Sequence, residues 1–175
     1  MVINSATPLC EEDAGSIQVA FCFDIEPVGQ LRPRFSKRGK AVVVYDPKKV
    51  ADFKKEVKAV ATELTQSEAL SSILPFAKGV PLEVTLKTYH AIPKSWTKTQ
   101  TGAASGNWKV TKSDVDNEIK SILDSLNGIL WHDDNQIVRI VAEKRYVETT
   151  TRYTEQAKYL EVQGKPYFTV EVKTL

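Results

Sequence analysis

Hydrophobic and polar residues alternate at three places along the chain. Ile17, Val19, Phe21, Phe23 and Ile25 share one face, which predicts a half-buried strand of about ten residues. Leu82, Val84 and Leu86 alternate with Glu83, Thr85 and Lys87, and Phe168, Val170 and Val172 repeat the pattern near the end. Ala41 to Tyr45 reads as a short strand and Gln136 to Val147 as a long one. Twice the period changes to that of a helix. Val50, Phe53, Val57, Val60, Ala61 and Leu64 form one stripe, opened by Asp46-Pro47, with Asp46 placed to cap it and Pro47 in the first turn. Val115, Ile119, Ile122, Leu123 and Leu126 form the other, stopped by Asn127-Gly128.

The connections are less regular. Residues 28–40 read as a basic loop and residues 92–113 as a polar loop. Residues 66–80 are ambiguous, with Ala69–Leu74 fitting one further helical turn or two, ended by Pro75, and residues 151–161 follow neither period. Residues 1–15 read as a disordered arm, and residues 16–175 as a single domain. The order β-β-α-β-α-β-β implies an α+β fold, a small mixed sheet packed with two main helices.

Composition narrows the class. No apolar run reaches the ~20 residues of a membrane span, and the first residues lack the basic start and apolar core of a secretory signal. Cys10 and Cys22 match no metal-ligand spacing and read as reduced thiols, so a cytoplasmic protein is expected. The net charge of +2 hides an asymmetry. Residues 30–58 hold ten basic and three acidic residues, a net +7 that leaves the remainder at −5. A basic segment on an acidic body suits a polyanion gripped in one place; a solvated helix face with a lysine-rich loop is the alternative.

Candidate chemistry lies in Lys112-Ser113-Asp114-Val115-Asp116-Asn117-Glu118-Ile119-Lys120 and in Trp131-His132-Asp133-Asp134. Asp114 and Asp116 stand where the chain turns into the second helix, and Lys120 lies one turn after Asp116 on its polar face. Asp133 and Asp134 return after the helix. Converging carboxylates repel unless a divalent cation neutralises them, and hard cations such as Mg2+ prefer oxygen ligands. Such a cation can activate water and polarise a phosphoryl oxygen, while a lysine stabilises developing charge. Ser113 and Asp114 are also ordinary capping residues, acids suit the first turn of any helix, and Lys120 could pair with Asp116 or Asp124. Periodicity alone leaves both readings open. His90 and His132 have no partner set at ligand spacing and read as structural or surface histidines. Trp96 and Trp108 read as anchors of their loop, with base stacking the alternative. Trp131 is expected to pack, holding the turn that carries Asp133 and Asp134.

The run from Asp114 to Lys120, then Leu123-Asp124-Ser125-Leu126-Asn127-Gly128, then Trp131-His132-Asp133-Asp134-Asn135-Gln136-Ile137, strongly resembles the RusA family of Holliday junction resolvases, often carried by phages and prophages. The family pattern is D-x-D-N-x-x-K, an aspartate and a small-residue turn, then W-x-D-D-x-Q-[IV]; every fixed element is present. A looser likeness covers Arg32-Pro33-Arg34-Phe35 and Tyr45-Asp46-Pro47. The resemblance implies metal-binding carboxylates at Asp114, Asp116 and Asp134, an essential lysine at Lys120 near the scissile phosphate, and a supporting acid at Asp133. It implies Mg2+, with Mn2+ as substitute, and a homodimer that nicks two strands of a four-way DNA junction symmetrically. Many members carry proline directly before the first aspartate; Ser113 stands there in this chain, which implies a looser turn. Arg32, Arg34, Lys37, Arg38, Lys40, Lys109 and Lys112 are the expected phosphate contacts. The alternatives are a non-catalytic branched-DNA-binding module, the same chemistry on flaps or forks, and acids that only cap and solvate.

Overall fold

The computed structural model describes residues 5–9, 16–39, 41–148 and 164–175. The described residues form seven strands: β1 (Ser5–Leu9), β2 (Gln18–Phe23), β3 (Arg34–Arg38), β4 (Ala41–Tyr45), β5 (Leu82–His90), β6 (Ile137–Tyr146) and β7 (Tyr167–Thr174). Four helices join them: α1 (Lys48–Leu64), α2 (Glu68–Ser71), α3 (Lys98–Ala104) and α4 (Val115–Leu126). The fold is α+β, as the order of patterns implied.

The main sheet runs β1-β2-β7-β5-β6, and β3-β4 form a separate hairpin. Among the described strands, β5 and β6 pair in parallel and the other neighbours are antiparallel. Register explains the core. Val19 lies opposite Val172, Phe21 opposite Val170 and Phe23 opposite Phe168, while Val84 and Leu86 meet Val172 and Val170 from the other side. Direct cross-strand partners share a face, so these residues form one apolar surface. Phe53, Val57 and Ala61 of α1 and Ile122 and Leu126 of α4 complete the cluster, with Leu130 and Trp131 from the turn after α4. The Phe23 and Phe168 rings stack with centroids 4.7 Å apart.

Parallel strands need a crossover connection, and α4 lies on the one between β5 and β6. A crossover helix runs back against its strands. The start of α4 therefore sits by the end of β5, and its last turn by the beginning of β6.

Several local expectations change. Residues 5–9 fall inside the expected disordered arm, yet they form β1 through backbone pairing with β2 from Ser5–Cys22 to Leu9–Gln18; the other residues of that arm, Cys10 among them, lie outside the described residues, as do residues 151–161. Arg34–Arg38, expected as loop, form β3. A segment with one apolar residue shows no alternation, and the strand comes instead from pairing with β4 across Gly39, whose φ of +63° suits a tight turn. Lys98–Ala104 form α3 without an apolar stripe; Thr97 and Gln100 close a reciprocal capping box at its start. Asp46 does not cap α1. Pro47 holds that position, and the Asp46 carboxylate is used elsewhere. No helix among the described residues is long and apolar enough to cross a membrane.

Candidate active site

The start of α4 places Asp114 and Asp116 in solvent. Asp114 is the N-cap residue, with extended backbone (φ −75°, ψ 146°), but its side chain makes no capping bond. Asp116 and Lys120 are exposed one turn apart. Lys120 forms no salt bridge among the described residues, with Asp116 or with Asp124, although its charge reaches Asp46. The capping and pairing readings of these residues therefore have no contact to support them.

What holds this turn is a residue the sequence pattern passed over. Glu118 is 1% exposed. Thr88 Oγ1 donates to its Oε2 at 2.7 Å, His90 Nε2 lies 3.0 Å from the same oxygen, and the Ser113 hydroxyl donates to Oε1. Burial works against the Glu118 charge, but the bonds from His90 and Ser113, with Thr88, outweigh it and hold its pKa below the usual glutamate value. The turn implied to be looser for want of proline is thus tied by Ser113 itself. Lys144 Nζ donates to Thr111 O at 2.7 Å and to Ser113 O. Lys109 Nζ donates to Thr111 O at 3.1 Å and to Lys112 O. Lys109, expected as a phosphate contact, is largely committed to these carbonyls; Lys112 is exposed. The signal for Glu118 was present: a carboxylate one turn before Ile122 within a buried stripe, facing the inward positions of β5, which continue from Leu86 to Thr88 and His90.

Helix α4 also receives the basic loop. Gln30 N donates to Asn117 O at 2.7 Å, and the Ser121 hydroxyl donates to Val28 O. Gln30 Nε2 donates to Asp46 Oδ1 at 2.8 Å. Lys54 bridges Asp46 at 3.0 Å and Asp124 at 2.9 Å, joining α1 to α4. Arg32, Arg34 and Lys37 are exposed, whereas the Arg38 and Lys40 side chains lie outside the described residues.

Asp133 and Asp134 occupy a 3-10 turn over Asp134–Gln136. Trp131 is fully buried beneath it, as expected. Gln136 pins the turn: its Oε1 accepts from His132 N at 3.0 Å and Asp133 N at 3.3 Å, and its Nε2 donates to Ala77 O at 2.8 Å. Asp133 accepts from Asn135 N at 3.0 Å and so serves as a cap. The Asp134 carboxylate has no hydrogen bond or salt bridge among the described residues, although its backbone carbonyl accepts from Ile137 N.

The chain does not bring Asp134 to Asp114 and Asp116. The twelve residues of α4 put about 18 Å between its ends. Asp114 stands at one end, and Asp134 follows the turn at the other, beside the start of β6. Among the described residues, no three His, Cys, Asp or Glu side chains are grouped to hold a metal ion. The donor chemistry still suits a hard cation: Asp114 and Asp116 offer, within one turn, carboxylate oxygens with no partner among the described residues.

The remaining candidates resolve simply. His90 is buried on Glu118 and His132 is exposed. Trp96 packs edge-on against Tyr146, with centroids 5.5 Å apart, and so anchors its loop. Trp108 is 57% exposed, with the Arg145 guanidinium 3.7 Å from its ring centroid. Cys22 is a buried free thiol, and burial pushes its pKa up to about 11.

A mixed α+β domain with an exposed acid-and-lysine helix beside a basic ribbon is a protein built to handle a polyanion. The family model for Endodeoxyribonuclease RusA matches residues 24–155, which include the basic loop, α1, α4 and both acidic turns. The protein named Uncharacterized protein YqaN, from Bacillus subtilis (strain 168), is 35% identical over 127 residues, covering 70% of this chain and 84% of its own length. The chain belongs to the RusA endodeoxyribonuclease family.

Proposed function

We propose that this protein is a structure-selective endodeoxyribonuclease that resolves Holliday junctions by paired, symmetric nicks, with Mg2+ as cofactor and Mn2+ as substitute. One observation carries the reading. Asp114, Asp116 and Lys120 are exposed at the start of α4 with no side-chain partner among the described residues, while a buried network around Glu118 holds that turn. Preorganised groups of this kind cost little reorganisation when charge develops on a phosphate.

Asp114 and Asp116 would hold the cation from one chain. Bound there, it would supply a Lewis acid for a phosphoryl oxygen and favour deprotonation of the attacking water. Lys120, one turn along the same face, would stabilise charge on the scissile phosphate. Asp134 lies a helix length away in its own chain, so a second copy would supply it. That arrangement accounts for a homodimer: two copies give two composite sites, one for each nicked strand.

The test is cleavage of a synthetic four-way junction, with Mg2+ or EDTA, beside linear duplex and a fork. Paired nicks confined to the junction and lost in EDTA support the reading. Equal cleavage of the fork would replace the junction with a broader branched substrate. Tight junction binding without cleavage in either Mg2+ or Mn2+ would leave a binding module.

A further inference from the structure

Among the described residues, no element covers the β3–β4 hairpin. All five β4 residues are exposed, and Phe35 is 71% exposed. Register divides the ribbon into two faces: Phe35 lies opposite Val44 and Lys37 opposite Val42, while Arg34 lies opposite Tyr45 on the other side. A two-stranded hairpin solvated on both faces is marginal in water, so a partner of defined chemistry is needed to explain it. Charge identifies that partner. Between Val28 and Tyr45 there are five cations and no carboxylate. A second copy of this ribbon would be repelled, whereas a nucleic acid would be attracted.

The base of the hairpin is not free to drift. Gln30 joins it to Asn117 and to Asp46, and Lys54 joins Asp46 to Asp124. The hairpin and the helix carrying Asp116 and Lys120 thus share one support.

We propose that β3–β4 is a DNA-inserting ribbon: Arg32, Arg34 and Lys37 hold phosphates, and Phe35, backed by Val42 and Val44, enters the stack at the branch point. Apolar wedges flanked by cations unstack duplex steps, and base stacking on an aromatic ring is sequence-tolerant. A branch point lowers the cost, because its bases are already partly unstacked. The ribbon would then read structure while α4 cuts. This rests on the junction reading above.

The test uses the full chain carrying Asp116→Asn, so that bound DNA survives, and junctions with 2-aminopurine at or away from the branch point. The parent should raise fluorescence only at the branch point. Adding Phe35→Ala should abolish most of that rise and weaken junction binding about tenfold, with linear-duplex binding within twofold. Phe35→Trp should keep both properties. Arg34→Ala with Lys37→Ala should weaken junction and duplex alike. An unchanged fluorescence rise and junction preference in the Phe35→Ala protein would overturn the proposal. So would a shift from dimer to monomer on light scattering, which would make the ribbon an interface between copies. Absence of junction binding by the parent would instead remove the junction reading itself, and this proposal with it.

Discussion

Gly29 lies against Ser113. A Cβ placed on Gly29 would stand 2.9 Å from Ser113 Cβ and 3.1 Å from its hydroxyl oxygen, with Asn117 Cβ at 3.4 Å. The loop that carries the cations and the turn that carries the acids therefore meet at a point where no side chain fits. That contact couples the two halves of the proposed site.

Gly29→Ala should separate them. Overpacking of this kind costs roughly 1–3 kcal/mol, measurable by urea unfolding. Junction cleavage should fall further than stability explains, because Ser113 and Asp114 must shift. A variant that unfolds and cleaves like the parent would show that the contact is slack.

Glu118→Ala removes the acceptor shared by Thr88, His90 and Ser113. Losing those bonds, with His90 left buried without its partner, should cost about 3 kcal/mol or more. Thr88→Val deletes one donor and should cost nearer 1 kcal/mol. Thermal unfolding orders the two, and a larger loss from Thr88→Val would contradict the assigned network.

The proposed composite site predicts a complementation result. Asp116→Asn and Asp134→Asn should each abolish cleavage alone and leave junction binding intact. Mixed and allowed to exchange subunits, they form heterodimers in which one site receives both substitutions and the other receives neither. Single-strand nicking should return. Continued inactivity of the mixture, with heterodimers verified by mass, would place all three carboxylates in one chain.

The Lys54 bridge predicts a pH dependence. Its bond from Lys54 holds the Asp46 carboxyl below the ordinary aspartate value of 3.8, with Gln30 assisting against desolvation. Burial opposes the Lys54 charge, but the bonds to Asp124 and Asp46 outweigh it and hold its pKa above 10.5. A lowered acid contributes stability above its unfolded value and loses it as pH falls through the folded one. A raised base contributes below its unfolded value and loses it as pH rises through the folded one. The stability gap between parent and Lys54→Ala should thus be flat near neutrality, at about 1 kcal/mol for these partly exposed pairs. It should close as pH drops below 3.8. A gap that does not narrow at all as pH falls below 3.8 would assign Lys54 a packing role instead.

Periodicity found the elements that bury a face. Alternation located β2, β5 and β7, and the 3.6-residue stripe located α1 and α4, because burial on one side imposes a repeat on the sequence. The same logic explains the misses. The β3 strand is exposed on both faces and α3 buries little, so neither carries a repeat. Their pairing and capping are local events that hydrophobicity does not record.

The order of residues alone picked out the groups proposed for the chemistry, Asp114, Asp116, Lys120 and Asp134, and the basic segment at residues 30–58. Only the tertiary structure decided how they stand to one another. Closeness in sequence suggested that Asp134 returns to Asp114, but a parallel β5–β6 pair requires a crossover, and α4 holds the two acids a helix length apart. The structure likewise decided that Glu118 belongs to the frame rather than the surface. A carboxylate's role depends on which donors the fold brings to it, and Thr88 and His90 come from a strand about thirty residues away.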